Sequence, residues 1–337
     1  MKYAYYPGCS LEKNASAYQV SNLLTAQAFG IDFQELDDWN CCGATEYISL
    51  NRMAAYALVA RNLVIAKEQI KTGDHLPQLV APCSACFLNL SKAEAYLTEN
   101  SALAERVNLA LAAGGLRYEP GGLSVRHLLD IFVHDIGYEQ IQSRVTNPLK
   151  GLRIAPYYGC LIVRPRFQGV FDDYESPTTL DHLMSCLGAD VVDYPPKAQC
   201  CGGHMTQISE SCAMEMLNHL LRSAVEAGAD MLVTLCPMCQ LNLDAYQANV
   251  NAYCHTDYHI PVLYFTQLIG LALGIPAEKL GIGKEIVDAR PALARIGKEP
   301  AQPAEPVRSR RPGKEELPMP RMLEEELPAQ PVKETQS

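Results

Sequence analysis

The stretch Leu79-Val80-Ala81-Pro82-Cys83-Ser84-Ala85-Cys86-Phe87-Leu88-Asn89-Leu90 returns 153 residues later as Leu232-Val233-Thr234-Leu235-Cys236-Pro237-Met238-Cys239-Gln240-Leu241-Asn242-Leu243. Each copy enters on Leu-Val, carries a C-x-x-C pair and closes on Leu-Asn-Leu. Working upstream, Cys41-Cys42-Gly43 is matched by Cys200-Cys201-Gly202, and Tyr6-Pro7-Gly8-Cys9 by Tyr157-Tyr158-Gly159-Cys160. The first set spaces its thiols by 31 and 40 residues, the second by 39 and 34. Spacing drifts while order holds, and five aligned cysteines with matched flanks mean an internal duplication.

The segments between the thiols read as alternating strand and helix. Short strand-like runs cover Lys2 to Tyr6 and Leu152 to Tyr157, and helical stretches cover Ala15 to Phe29 and Thr178 to Leu187, stopped by Gly30 and Gly188. Strands at Asp32 to Leu36 and Asp190 to Tyr194 lead into the vicinal cysteines, followed by long helices at Ile48 to Lys71 and Ser209 to Ala227. Strands at Gln78 to Ala81 and Met231 to Leu235 deliver the C-x-x-C pairs, with Pro237 just inside the following helix, where proline is favoured. Ser124 to Ile136 and Phe265 to Leu273 close the halves. This alternation predicts an α/β fold of two homologous Rossmann-like domains with mainly parallel sheets. In such sheets ligands gather at the carboxyl ends of strands, where all the repeated cysteines fall. The expected divisions are 1–145, 146–284 and a tail, 285–337. Nine of the chain's 22 prolines lie from Pro291 onward, among charge clusters, so the tail is expected to be disordered.

Composition narrows the function classes. The chain has 337 residues, 28 Lys+Arg against 38 Asp+Glu, a formal charge of -10, and 13 cysteines. The acidic balance argues against nucleic acid as a partner, because phosphate binding needs a basic face. No apolar run reaches the about 18 residues of a membrane-spanning helix, and the start of the chain lacks the apolar centre of a secretory signal. A cytoplasmic protein is expected, possessing no transmembrane segment of its own. Disulfides are rare in that compartment.

Ten repeated thiols therefore need a different use. A disulfide framework is disfavoured by compartment, by the odd cysteine count and by the strain of bridging adjacent cysteines. Burial as apolar side chains explains a lone cysteine but not a repeated spacing. Structural zinc takes four ligands, one fewer than each copy offers. Iron–sulfur clusters spread thiolates over several irons and suit the set best. The glycines beside the thiols would let backbone N–H groups approach sulfur, and the helix after each C-x-x-C would point its positive end at the thiolates.

The twice-repeated C-x(31–39)-CC-x(34–40)-C-x-x-C, with Gly after each vicinal pair, resembles the cysteine-rich CCG domain, and its tandem form resembles the B subunit of the heterodisulfide reductases, over residues 1 to about 275. The 40-residue spacer and the charged, proline-rich tail depart from that pattern. The resemblance implies that Cys9, Cys41, Cys42, Cys83 and Cys86 hold one noncubane [4Fe–4S] cluster, and that Cys160, Cys200, Cys201, Cys236 and Cys239 hold another. It implies an oxidoreductase acting on a sulfur group, cleaving a small disulfide between the clusters or oxidising thiols in reverse. Its implied partners are a ferredoxin-like C subunit together with a flavin-containing A subunit, with membrane association only through a partner. No GxGxxG-type loop is evident, so no bound flavin or nicotinamide cofactor is expected. The alternatives are an electron-transfer subunit of a succinate, lactate or glycolate dehydrogenase complex, passing electrons to quinone, and a scaffold with zinc in the first copy.

No catalytic residue beyond the ligands stands out, but several are candidates. His204 follows Cys200-Cys201-Gly202-Gly203 and could supply a proton to a departing thiolate or bond a cluster sulfur. Arg164 and Arg166 follow Cys160 and could grip an anionic substrate, surface salt bridges being their ordinary use. Trp39 precedes Asn40-Cys41 and is read as a water shield or a packing residue. Cys186 and Cys212 are read as core thiols of helices. Cys254-His255 with His259 lacks a fourth ligand for a metal.

Overall fold

The computed structural model describes residues 1–44, 47–165 and 171–298. Four short strands in each half form a parallel sheet. The first comprises β1 (Lys2–Tyr5), β2 (Asp32–Glu35), β3 (Gln78–Ala81) and β4 (Ser124–His127), ordered β2-β1-β3-β4. The second comprises β5 (Arg153–Tyr157), β6 (Asp190–Val191), β7 (Met231–Thr234) and β8 (Val262–Tyr264), ordered β6-β5-β7-β8. The same order in both sheets is the duplication seen in space, and the α/β expectation for two parallel-sheet copies holds. In register, Ala81 lies opposite His127 on β3 and β4, as Thr234 lies opposite Tyr264 on β7 and β8. β7, covered on both faces, is buried throughout and reads as an unbroken apolar run apart from Thr234.

Local chemistry sets the helices around these strands. Cys83 and Cys236 stand at the N-cap positions of Ser84–Glu99 and Pro237–Ala245. Asn51 caps Arg52–Thr72 by accepting from the Ala54 N–H at 3.0 Å. That helix has 21 residues, whereas its counterpart Glu210–Glu226 has 17. One added turn thus accounts for four of the six extra residues in the longer cysteine spacer. Each C-x-x-C helix is followed by a second helix, Ser101–Leu111 or Gln247–Cys254, a pairing not foreseen from the sequence. A π-helical turn, Ile131–Gly137, also interrupts the expected helix after β4.

The halves meet through buried aromatic and polar contacts. The Tyr18 ring stacks on Tyr264 at 4.2 Å between centroids. Ser21 Oγ and Thr266 Oγ1 lie 2.7 Å apart, and Thr266 Oγ1 donates to Asn22 Oδ1 at 2.9 Å. Both sheets belong to one compact unit, Met1–Pro300.

The beginning of the expected tail differs from the compositional reading. Residues 285–298 pack against the second half because buried acids there accept their backbone amides. Asp244 takes the N–H groups of Ile286 and Val287 at 2.8 and 2.9 Å, and Arg295 bridges to Asp230 at 2.6 Å. Ala289 and Ala292 are buried by this docking. Burial raises the Asp244 pKa, and the donated N–H bonds oppose that shift. The rest of the tail lies outside the described residues. Asp244→Ala should cost about 1–3 kcal/mol, the usual penalty for leaving buried donors unpaired. It should also speed amide exchange at Ile286 and Val287 more than in β7; equal protection in the variant would refute the pinning role.

Candidate metal centre

Eight of the ten repeated cysteines lie in the segments that follow the carboxyl ends of strands. Cys9 follows β1, Cys41 and Cys42 follow β2, and Cys83 follows β3; Cys160, Cys200, Cys201 and Cys236 repeat this in the second sheet. Cys86 and Cys239 join from the first turns of the helices that follow. The ten sulfurs form one continuous chain. Cys9 meets Cys41, Cys41 meets Cys42, and Cys42 Sγ lies 3.2 Å from Cys86 Sγ. Cys86 meets Cys83, which touches Cys236 of the other copy. From there the order reverses through Cys239 to Cys201, whose sulfurs are 3.6 Å apart, then Cys200 and Cys160. Its six inner members are buried; Cys9 and Cys41 are exposed, and Cys160 and Cys200 are half-buried.

Electrostatics follow from that chain. Hydrogen bonds from the Cys42 and Cys9 thiols pull Cys41 well below the usual thiol range. Those from Cys160 and Cys201 do the same to Cys200, with a smaller pull from Arg164. At the centre, Cys236 is lowered by the Cys239 and Cys83 thiols, while Cys83 is raised, chiefly as the donor in its bond to Cys236. A row of sulfurs in contact cannot all carry charge at once without a counter-cation. Thiolate ligation to a metal supplies one.

Three repeated features hold the thiols, and the sequence signalled each without revealing its role. A Cβ on Gly8 would stand 3.0 Å from Cys86 Sγ, and one on Gly159 would stand 2.9 Å from Cys239 Sγ. Both glycines also adopt positive φ, 75° and 69°, so the cradle excludes a side chain twice over. Tyr6 donates its hydroxyl to the Asn40 carbonyl and Tyr157 to the Gln199 carbonyl, each at 2.8 Å, fixing the residue before each vicinal pair. Asn89 and Asn242, from the two Leu-Asn-Leu tripeptides, donate to the carbonyls of Cys42 and Cys201 at 3.1 and 3.2 Å. Asn242 also reaches the Gly203 carbonyl at 2.8 Å and the Cys201 sulfur at 3.6 Å.

The remaining candidates are distributed unevenly. Arg164 is exposed, donates to the Ala198 carbonyl and sits close enough to act on Cys200. Arg166 lies outside the described residues. His204 is half-buried, immediately before the short Met205–Ile208 helix. Trp39 packs edge-on against Tyr6 at 5.3 Å, and its Nε1 donates to Glu35 at 2.9 Å. With Cys9 and Cys41 it lines an open cavity of about 550 Å³ bordered by Glu12, Asp37 and Asp38. Cys212 is exposed, contrary to the core reading, because it lies on the outward face of an amphipathic helix. Cys186 and Cys254 are half-buried, and His259 is exposed beside Asp257.

The donor set fits a sulfur-rich anionic group. Three buried polar atoms next to it have no hydrogen-bond partner: Ser84 Oγ beside Cys83, Thr234 Oγ1 two residues before Cys236, and His127 Nε2. Bound anionic sulfur would satisfy such orphans. Among the described residues, no three His, Cys, Asp or Glu side chains form a group placed to hold a lone metal ion. No described helix is long and apolar enough to cross a membrane.

Comparison with known proteins agrees with this architecture. A Wolinella succinogenes protein, named 8-methylmenaquinol:fumarate reductase membrane anchor subunit, is 35% identical over 86% of this chain and 98% of its own. A Methanosarcina acetivorans protein, named as the B subunit of a ferredoxin/F(420)H(2)-dependent CoB-CoM heterodisulfide reductase, is 31% identical over 88% of this chain and 97% of its own. In fold, a hypothetical protein from Helicobacter pylori superposes with a TM-score of 0.66 at 16% identity, covering 85% of this chain and 52% of that one. The family profile described as a cysteine-rich domain, CCG, matches twice, at residues 3–91 and 154–244. The chain therefore belongs to the CCG family of cysteine-rich proteins, in its tandem form.

Proposed function

We propose that the chain is the iron–sulfur subunit of a heterodisulfide reductase-like complex. It reduces a small disulfide, or oxidises thiols in reverse, by one-electron steps between two noncubane [4Fe–4S] clusters. The observation that carries this reading is the single thiol chain, complete in both copies and joined at Cys83 and Cys236. Cleaving a disulfide consumes two electrons, and two adjacent one-electron centres match that demand. The relatives named as B subunits of heterodisulfide reductases support it.

The assigned ligands are Cys9, Cys41, Cys42, Cys83 and Cys86 for the first cluster and Cys160, Cys200, Cys201, Cys236 and Cys239 for the second. Bound clusters of this kind accept and pass single electrons at potentials set by their surroundings. The chain's own residues do the positioning. Gly8 and Gly159 admit the inner sulfurs, and Asn89 and Asn242 hold the vicinal loops. Arg164 presents a guanidinium at the second copy's mouth, suited to an anionic end of the substrate. Electrons come from a ferredoxin-like C subunit, itself fed by a flavin-containing A subunit.

A second reading rests on the Wolinella succinogenes relative, whose name places it in a quinol-linked complex as a membrane anchor. Under that reading the clusters connect quinol to a partner enzyme without disulfide chemistry, and a partner or peripheral contact provides the membrane attachment.

Protein purified without oxygen should carry about eight iron atoms per chain with matching sulfide, the content of two four-iron clusters. Zinc in place of half the iron would assign the first copy a structural role. Cys42→Ala and Cys201→Ala should each remove about half the iron and abolish any paramagnetic signal induced by small thiols. A centre unresponsive to thiols but reduced by a menaquinol favours the anchor reading.

Asn242→Ala should lower iron retention in the second copy alone, and Asn242→Asp, which sets an acceptor-only carboxylate against the carbonyls the amide serves, should lower it at least as far. Equal iron in all three proteins would remove the loop-holding role. Arg164→Ala should raise the apparent KM for an anionic disulfide several-fold with little change in kcat; an unchanged KM disposes of the substrate contact.

A further inference from the structure

The loop that leads to Cys200 is laced to the loop that carries Cys160. Three consecutive carbonyls ahead of Cys200 each accept from the Cys160 segment. Lys197 takes the N–H groups of Tyr158 and Gly159 at 2.9 and 3.1 Å, Ala198 takes the Arg164 guanidinium, and Gln199 takes the Tyr157 hydroxyl at 2.8 Å. Side chains lock the same junction. Lys197 Nζ donates to Asp181 Oδ1 at 2.9 Å, and the Tyr158 hydroxyl donates to Asp181 Oδ2 at 2.5 Å. That hydroxyl also accepts the Leu180 and Asp181 N–H groups at 2.7 and 3.2 Å. Tyr158 is buried, and the Lys197 and Asp181 side chains are only 14% and 20% exposed, so the ion pair is poorly screened by water and salt.

The first copy lacks this lacing. Pro7 stands where Tyr158 does and has no N–H to give, and Lys13 stands where Arg164 does. Among the described residues, the Tyr6 hydroxyl makes the only hydrogen bond from the Cys9 segment to the three residues before Cys41. Those residues are held by the helix Arg52–Thr72 instead. Asn40 N–H donates to Asn62 Oδ1 at 2.9 Å, Asn62 Nδ2 returns a bond to the Asn40 carbonyl at 2.8 Å, and Arg61 pairs with Asp38. Exposure follows the same division, with Cys9 and Cys41 open and Cys160 and Cys200 half-buried.

We propose that Tyr158, Asp181 and Lys197 are positioning residues that clamp Cys160 and Cys200 into a fixed outer corner, a device the first copy does not have. Ligands held in place by their own protein contacts bind with less ordering cost, and a site whose loops part easily gives up its metal sooner. The two centres are therefore unequal in how firmly they keep iron, and the first copy loses it before the second. This inference rests on the iron–sulfur reading.

The test uses full-length protein purified without oxygen, with iron and sulfide counted and an excess of a strong ferrous chelator added. Wild type should release iron in two phases of similar size, with Cys201→Ala showing only the fast phase and Cys42→Ala only the slow one. Lys197→Met and Asp181→Ala should each speed the slow phase about tenfold, the order expected for a lost charge-assisted hydrogen bond, and leave the fast phase unchanged. Lys197→Arg, which keeps a cation against Asp181, should restore the slow phase. In iron-loaded wild type the Tyr158 and Gly159 amides should be better protected from deuterium exchange than the Gly8 amide. A single phase, a fast phase retained in Cys42→Ala, a slow phase unmoved by Lys197→Met, or both phases moved alike overturns the proposal. If Lys197→Met and Asp181→Ala do not retain iron, the wild-type phases, the cysteine variants and amide exchange decide alone. Absence of iron and sulfide from the wild type brings down the iron–sulfur reading and this proposal with it. Iron present with equal protection at Gly8, Tyr158 and Gly159 strikes only the proposal.

Discussion

The contact between Cys83 and Cys236 is the constraint around which the rest of the molecule is arranged. Each of these residues ends a central strand and begins a helix, so their approach fixes how the two sheets face each other. The Tyr18 hydroxyl, bonded to both Pro82 and Leu235 carbonyls, ties the two preceding loops from the first-half side. The stack on Tyr264 and the buried Ser21–Thr266–Asn22 cluster orient that hydroxyl. These polar groups are expensive to bury without partners and are nearly all paired. The junction is therefore specified in register as well as held together, which bare apolar packing would not achieve.

From that centre the thiol chain runs outward in two directions, and its two ends differ. In the first copy the outermost thiols open into an acidic cavity beside Trp39. In the second, the outermost thiols are half-buried, with the Arg164 guanidinium near Cys200. The acidic side chains at the first end repel a negatively charged molecule over the roughly 8–10 Å that charges act through physiological salt, whereas a guanidinium stands near Cys200 at the second. The two ends are thus unequal in access and in sign, although the cysteines themselves are equivalent.

Much of this was legible in the sequence because duplication makes a weak pattern visible twice. Strand ends, helix starts at Cys83 and Cys236, and the α/β order could all be read from short repeated flanks. The roles of Tyr6, Tyr157, Asn89 and Asn242 were signalled by the same repeats. They could not be assigned, because each acts on a carbonyl more than 30 residues away in sequence. Cys212 was misread because burial on a helix depends on which face meets the sheet. The segment 285–298 was misread for a related reason. Its order comes from Asp244 and Asp230, far upstream, which composition within the segment cannot reveal.

What the duplication does not repeat is as informative as what it does. All three partnerless buried polar atoms near the thiols fall at positions where the copies differ. Ser84 is answered by Pro237, Thr234 by Ala81, and His127 by Tyr264. Their positions in the chain bracket the two inner cysteines, and none belongs to the repeated scaffold that places the sulfurs. Ligand geometry demands the same backbone twice, so drift there is penalised in both copies. A polar side chain in that layer can differ between the copies without moving the sulfurs. Divergence placed in that layer makes the surroundings of the two thiol sets unequal while the duplicated scaffold that places the sulfurs stays symmetric.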